Sequence, residues 1–84
     1  MQFEVVTPKG SVVKTEADAV IAPGAAGEFG VLPHHSPMVS ALKPGTLSWR
    51  SHGNTEQLRI GAGVCEVRDD RVIIATESTD KIGQ

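Results

Sequence analysis

Thr46-Leu47-Ser48-Trp49-Arg50-Ser51-His52-Gly53-Asn54-Thr55-Glu56-Gln57-Leu58-Arg59-Ile60 reads as two strands around a turn. Successive side chains of an extended chain point to opposite faces, so Leu47 and Trp49 share one side while Ser48 and Arg50 take the other. His52-Gly53-Asn54-Thr55 supplies the turn, after which Leu58 and Ile60 point inward and Gln57 and Arg59 outward. A period of two on both arms predicts a hairpin in a sheet with one wet face, with Trp49, the single tryptophan, in the core.

The same grammar extends in both directions. Upstream, Phe3 and Val5 alternate with Glu4, Thr7-Pro8-Lys9-Gly10 makes a turn, and Ser11-Val12-Val13-Lys14 and Val20-Ile21-Ala22 return to strand character. Pro23-Gly24-Ala25-Ala26-Gly27 is too rich in glycine and alanine for a strand interior, so it reads as a loop ahead of Glu28-Phe29-Gly30-Val31-Leu32 and as a candidate functional surface. Pro33 and Pro37 bracket His34-His35-Ser36 in a non-helical, ordered loop, because each proline biases its predecessor away from the α region. Residues 38–42 form a strand, and Lys43-Pro44-Gly45-Thr46 has proline and glycine where a type II turn wants them, reversing the chain. Downstream, Gly61-Ala62-Gly63 relieves crowding at a bend, residues 64–67 run into a turn at Asp69-Asp70, and residues 71–75 close another hairpin. About eight to ten short strands at this spacing give an all-β fold, a flattened antiparallel β-sandwich or barrel. It occupies residues 1–76, with 77–84 a polar C-terminal tail expected to fray.

Composition narrows the function. A chain of 84 residues holds one small domain, and 8 Lys+Arg against 10 Asp+Glu leave no basic excess for gripping nucleic-acid phosphates. The lone Cys65 cannot form an internal bridge, which fits a reducing compartment. No run approaches the roughly 18 consecutive apolar residues of a membrane-spanning helix, and Met1-Gln2-Phe3-Glu4 lacks the pattern of a signal peptide.

Candidate chemistry is thin. His34-His35 and His52 invite a metal site, but adjacent histidines on an extended chain point oppositely and no cysteine or carboxylate stands at ligand spacing. Cys65 with a histidine has the makings of a nucleophile and base, yet an apolar strand usually makes a thiol inert packing. The glycine-rich residues 24–30 precede neither a helix nor Lys-Ser/Thr, so they lack the donors of a phosphate loop. A two-residue hairpin turn accounts for Asp69-Asp70, and solvated strand faces for Glu28, Lys43, Arg50, Arg59, Arg68 and Arg71. The residues alone therefore describe an interaction module with no visible active site and no cofactor, with a free-standing sandwich that binds a small ligand or metal at the mouth of residues 24–37 as the alternative.

Gly27-Glu28-Phe29-Gly30-Val31-Leu32-Pro33-His34-His35-Ser36-Pro37-Met38 and Ala41-Leu42-Lys43-Pro44-Gly45 resemble the epsilon subunit of bacterial F-type ATP synthase, whose pattern is Gly-x-x-Gly-Val/Ile-x-Pro-x-His-x-Pro-Leu followed by Leu-Lys-Pro-Gly. Gly61-Ala62-Gly63-Val64-Cys65-Glu66-Val67 and Asp70-Arg71-Val72-Ile73-Ile74-Ala75 look like that family's glycine-containing strand and final hairpin. The resemblance implies a non-catalytic rotor subunit of the central stalk, bound to the gamma subunit and resting on the c ring. It would be peripheral on the cytoplasmic face of the bacterial membrane and touch the membrane only through the complex. Glu28 and His35 match the positions expected to face the ring, and Val39, Leu42 and Lys43, within residues 39–45, the expected gamma surface. His34 stands where the family often has glycine or asparagine. Family members usually continue into a helical hairpin that carries inhibition of hydrolysis and, in some, ATP binding; these 84 residues stop before one, so neither role is assigned.

Overall fold

A computed structural model describes residues 1–82, all strand and turn with no helix among them. The strands are β1 (Gln2–Thr7), β2 (Gly10–Glu16), β3 (Ala19–Gly24), β4 (Gly27–Val31), β5 (Met38–Leu42), β6 (Gly45–Ser51), β7 (Asn54–Ile60), β8 (Gly63–Arg68), β9 (Arg71–Thr76) and β10 (Thr79–Lys81). The expected hairpin is β6–β7, with Leu47 opposite Leu58 and Ser51 opposite Asn54. Its two turn residues both have positive φ, 52° at His52 and 82° at Gly53, the twist that suits a tight hairpin. Asp69 (51°) and Asp70 (57°) make the matching turn between β8 and β9.

The strands run in the order β10-β7-β6-β3-β5-β8-β9-β1-β2, with β4 pairing the side of β3 away from that path. The curl is fixed by what meets inside. Phe3 of β1 packs on Trp49 of β6 with ring centroids 5.1 Å apart, although these strands lie on different halves of the order. Between the layers lie the inward sets of each alternation: Val5, Val20, Ala22, Val31, Leu47, Ile60, Val67, Val72 and Ile74, all essentially without solvent contact. The hydrogen-bonded strand path passes from one layer to the other at a single paired position between β3 and β5, Gly24 opposite Leu42. This is the flattened β-sandwich expected, and one pairing in it is parallel, β1 beside β9 from Gln2 opposite Arg71 to Val6 opposite Ala75.

Three local expectations are corrected. Pro44-Gly45 does not close a hairpin: β5 and β6 pair with other strands, and Gly45 lacks the positive φ of a type II turn. Its missing Cβ serves packing instead, since a Cβ there would lie 2.9 Å from Pro23 Cβ. Pro23 and Gly24 are not loop but the end of β3, because the Pro23 carbonyl accepts the Lys43 N–H at 2.9 Å and the Ala25 N–H donates to the Ala41 carbonyl at 2.8 Å. The tail is not without a partner either: Thr79, Asp80 and Lys81 pair with Ile60, Arg59 and Leu58 as β10, while residues 83 and 84 of the expected tail lie outside the described residues. Buried Thr76 prepares that strand, its hydroxyl lying 3.0 Å from the Gly61 carbonyl and 3.2 Å from those of Ala62 and Ser78.

Candidate functional site

The segment after β4 is held by backbone geometry. Pro33 sets one φ, His34 takes φ 64°, and the His35 N–H closes the turn onto the Leu32 carbonyl at 3.2 Å, the signature of a type II turn. His35 is half-buried, and its Nδ1 lies 2.7 Å from the Ser36 carbonyl. A carbonyl only accepts, so Nδ1 donates in this contact and Nε2 keeps its lone pair. The His34 amide in turn donates to Asp70 Oδ1 at 2.9 Å. This bond holds the Asp70 carboxyl below the usual aspartate range, opposed by slight desolvation and aided by the N-terminal ammonium and the His34 ring.

Glu28 sits elsewhere on the same strand. It is exposed on β4 opposite Pro23, with no side-chain hydrogen bond or ion pair among the described residues. The three steps from Glu28 to Val31 span roughly 10 Å of strand, so Glu28 and His35 stand at opposite ends of β4 rather than together.

On β5, Val39 is 71% exposed and Lys43 just beyond is exposed, but Leu42 is 3% exposed and belongs to the core. Leu42 is therefore withdrawn as a contact residue, because the alternation that turns Val39 and Ala41 outward turns Leu42 in. Cross-strand registers extend Val39 and Ala41 into a wider surface. Ala41 faces Val64, then Ala75, then Val6, and Val39 faces Glu66, then Ile73, then Glu4. The outer face of β5-β8-β9-β1 thus carries one apolar row, Ala41-Val64-Ala75-Val6, next to a mixed row in which Glu66 and Glu4 alternate with Val39 and Ile73, with Val64 43% exposed and Ile73 and Val6 half-buried. Sequence reading passed over it although Val72-Ile73-Ile74-Ala75 carried the signal: an unbroken apolar run means both faces of a strand want cover. The corresponding face of β6-β7 carries Ser48, Arg50, Thr55, Gln57 and Arg59.

Neither chemical alternative gains a site. Cys65 is fully buried and burial pushes its thiol up to about 11, the reverse of what a nucleophile needs. No three of His, Cys, Asp and Glu cluster as metal ligands among the described residues. Residues 24–37, the supposed ligand mouth, are a strand end, a tight hairpin, β4 and a turn; a broad groove of about 710 Å³ lies instead beside β2, β7 and β10, along Val12, Trp49, Leu58 and Ile82.

Residues 1–81 match the family described as ATP synthase, Delta/Epsilon chain, beta-sandwich domain. The chain belongs to this family. It is 38% identical over 82 residues to an ATP synthase epsilon chain of Thermodesulfovibrio yellowstonii, covering 98% of this chain and 59% of the relative. Over 82 residues it is 42% identical to the epsilon chain of Desulfosudis oleivorans, covering 96% and 62%. The chain thus spans about three-fifths of the length of these relatives. Among solved structures, it superposes on a chain of the Euglena gracilis mitochondrial ATP synthase, an OSCP/F1/c-ring assembly, with TM-score 0.87 and 28% identity, covering 94% of this chain and 51% of that one. A chain of the Tetrahymena thermophila central stalk and c-ring structure shares the fold at TM-score 0.83 and 15% identity, covering 96% and 66%. At φ 64°, His34 occupies the region that glycine and asparagine enter most easily.

Proposed function

We propose that this domain is a non-catalytic coupling element of the ATP synthase rotor, joining the gamma subunit to the c ring so that ion-driven rotation of the ring reaches the catalytic head. The observation that carries the reading is the asymmetry of the two outer sheet faces in a chain of epsilon type. The β5-β8-β9-β1 face is apolar at Val39, Ala41, Val64, Ile73 and Ala75, and the β6-β7 face is polar. An exposed apolar row, Ala41-Val64-Ala75-Val6, bordered by the mixed row Val39-Glu66-Ile73-Glu4, suits a protein interface, and we assign it to gamma, with Val39 and Lys43 at its margin. Glu28 and His35 are assigned to the polar loops of the ring, where several weak contacts around a rotor add through avidity. The complex would hold the domain peripherally at the cytoplasmic face of the bacterial membrane.

Co-elution with the gamma subunit of the same organism on a sizing column tests this. Binding should survive omission of ATP and addition of a chelator, because neither nucleotide nor metal takes part. A chain that fails to bind gamma, or binds only with metal present, would exclude the coupling role for this domain.

A further inference from the structure

Among the described residues, the loop between β4 and β5 has one side-chain hydrogen bond to a distant element: Asp70 Oδ1 accepts the His34 amide at 2.9 Å across 36 residues of sequence. Both ends of that bond sit in unfavourable backbone, His34 at φ 64° and Asp70 at φ 57°. The β8–β9 turn tolerates an aspartate at its second place but prefers glycine there, since such turns take Asn-Gly or Asp-Gly more readily than Asp-Asp. What the aspartate adds is an anionic acceptor in a fixed place. Asp70 is held by the turn and by its own carbonyl, which accepts the Gln2 N–H at 3.0 Å at the start of β1. Its carboxylate thus anchors the β4–β5 loop to the β8–β9 turn, through a charge-assisted bond to the residue at φ 64°. The exposed His34 ring, with Nδ1 3.9 Å from the same oxygen, is a secondary attraction.

We propose that Asp70 is a positioning residue for this loop: its carboxylate caps the left-handed turn at His34 and thereby fixes His35, one residue on, for contact with the ring. The last step rests on the ring-facing reading of His35 given above; the clamp itself does not.

The test uses Asp70→Gly and Asp70→Asn in this chain, followed by amide hydrogen exchange at single-residue resolution. Glycine suits φ 57°, so Asp70→Gly should keep the hairpin folded while removing the acceptor. The His34 amide should then exchange at least tenfold faster, with Val72 and Ile74 of β9 unchanged. Asparagine keeps an oxygen acceptor and should restore most of the protection. Unchanged exchange at His34 in Asp70→Gly, or equal acceleration throughout β9, would overturn the clamp. A second arm measures docking to an assembled gamma–c-ring complex. Weakened docking of Asp70→Gly, matching that of His35→Ala, supports the full proposal. A loosened turn with undiminished docking of Asp70→Gly leaves the clamp standing and overturns its positioning of His35, while undiminished docking of His35→Ala removes His35 from the ring contact.

Discussion

At His34 the backbone favours a residue without a Cβ, yet the chain supplies an imidazole at φ 64°. Replacing it should therefore relieve strain: His34→Gly is expected to leave stability unchanged or raise it by up to about 1 kcal/mol, the unfolded chain's gain in freedom offsetting part of the relief. Urea midpoints of the two proteins decide it, and a clear fall would mean that the imidazole itself holds the loop. The Asp70 carboxyl gives a pH signature. Its value in the fold is depressed, first by the His34 amide bond, so its contribution is complete above the ordinary aspartate range and lost as pH falls through the folded value. The charged groups that act on it are the N-terminal ammonium of Met1 and the His34 ring. The His34 amide resonance should accordingly hold steady from pH 8 to about 5 and move only below about 4. Movement centred near 6.5 would give control to imidazole protonation instead.

At the scale of strands, β10 shows how a polar segment becomes structure. Thr79, Asp80 and Lys81 bury little, and their order comes from pairing with β7 and from Thr76, Gly61 and Ser78 beneath them, with the Gly61 N–H donating to the Ser78 carbonyl at 3.0 Å. Thr76→Val removes a buried hydroxyl set among carbonyls and should cost about 1–3 kcal/mol, with exchange accelerated at Gly61 and across β10 before the core. If β10 exchanges at the unaltered rate, the hydroxyl is not what secures it. The polar stretch offered no apolar periodicity, and for that reason it read as frayed. The β6–β7 and β8–β9 hairpins were legible because alternation and turn residues are local signals, as Leu47, Trp49, Gly53 and Asp70 illustrate. Pairings between distant segments were not. The parallel contact of β1 with β9, and the crossing at Gly24 and Leu42, depend on long-range closure that no short window encodes. Leu42 was misplaced for a related reason: its motif named the segment, and only the register settles which face each residue takes.

For the molecule as a whole, the proposed function rests on two unlike outer faces. The family motifs around Glu28 and His35 were readable residue by residue, whereas the apolar face came into view only when Ala41, Val64, Ala75 and Val6 aligned across four strands. Val64→Glu puts a charge at the middle of that row. It should weaken gamma binding at least about tenfold, while folding stability stays within about ±0.5 kcal/mol because the side chain is already 43% exposed. Equal affinity of the two proteins in titration calorimetry would remove this face from the interface. Replacing Glu28 and His35 together should act differently, weakening docking to the ring and sparing gamma; a double variant that unfolds would make those residues structural.

The most direct measurement is side-chain footprinting of this chain alone and bound to gamma. Val39, Val64 and Ile73 should become protected in the complex, with Ile21 and Arg59 of the opposite layer labelled as before. Protection of the β3-β6-β7 face, with Val39 and Val64 still open, would contradict the assignment of gamma to the apolar face.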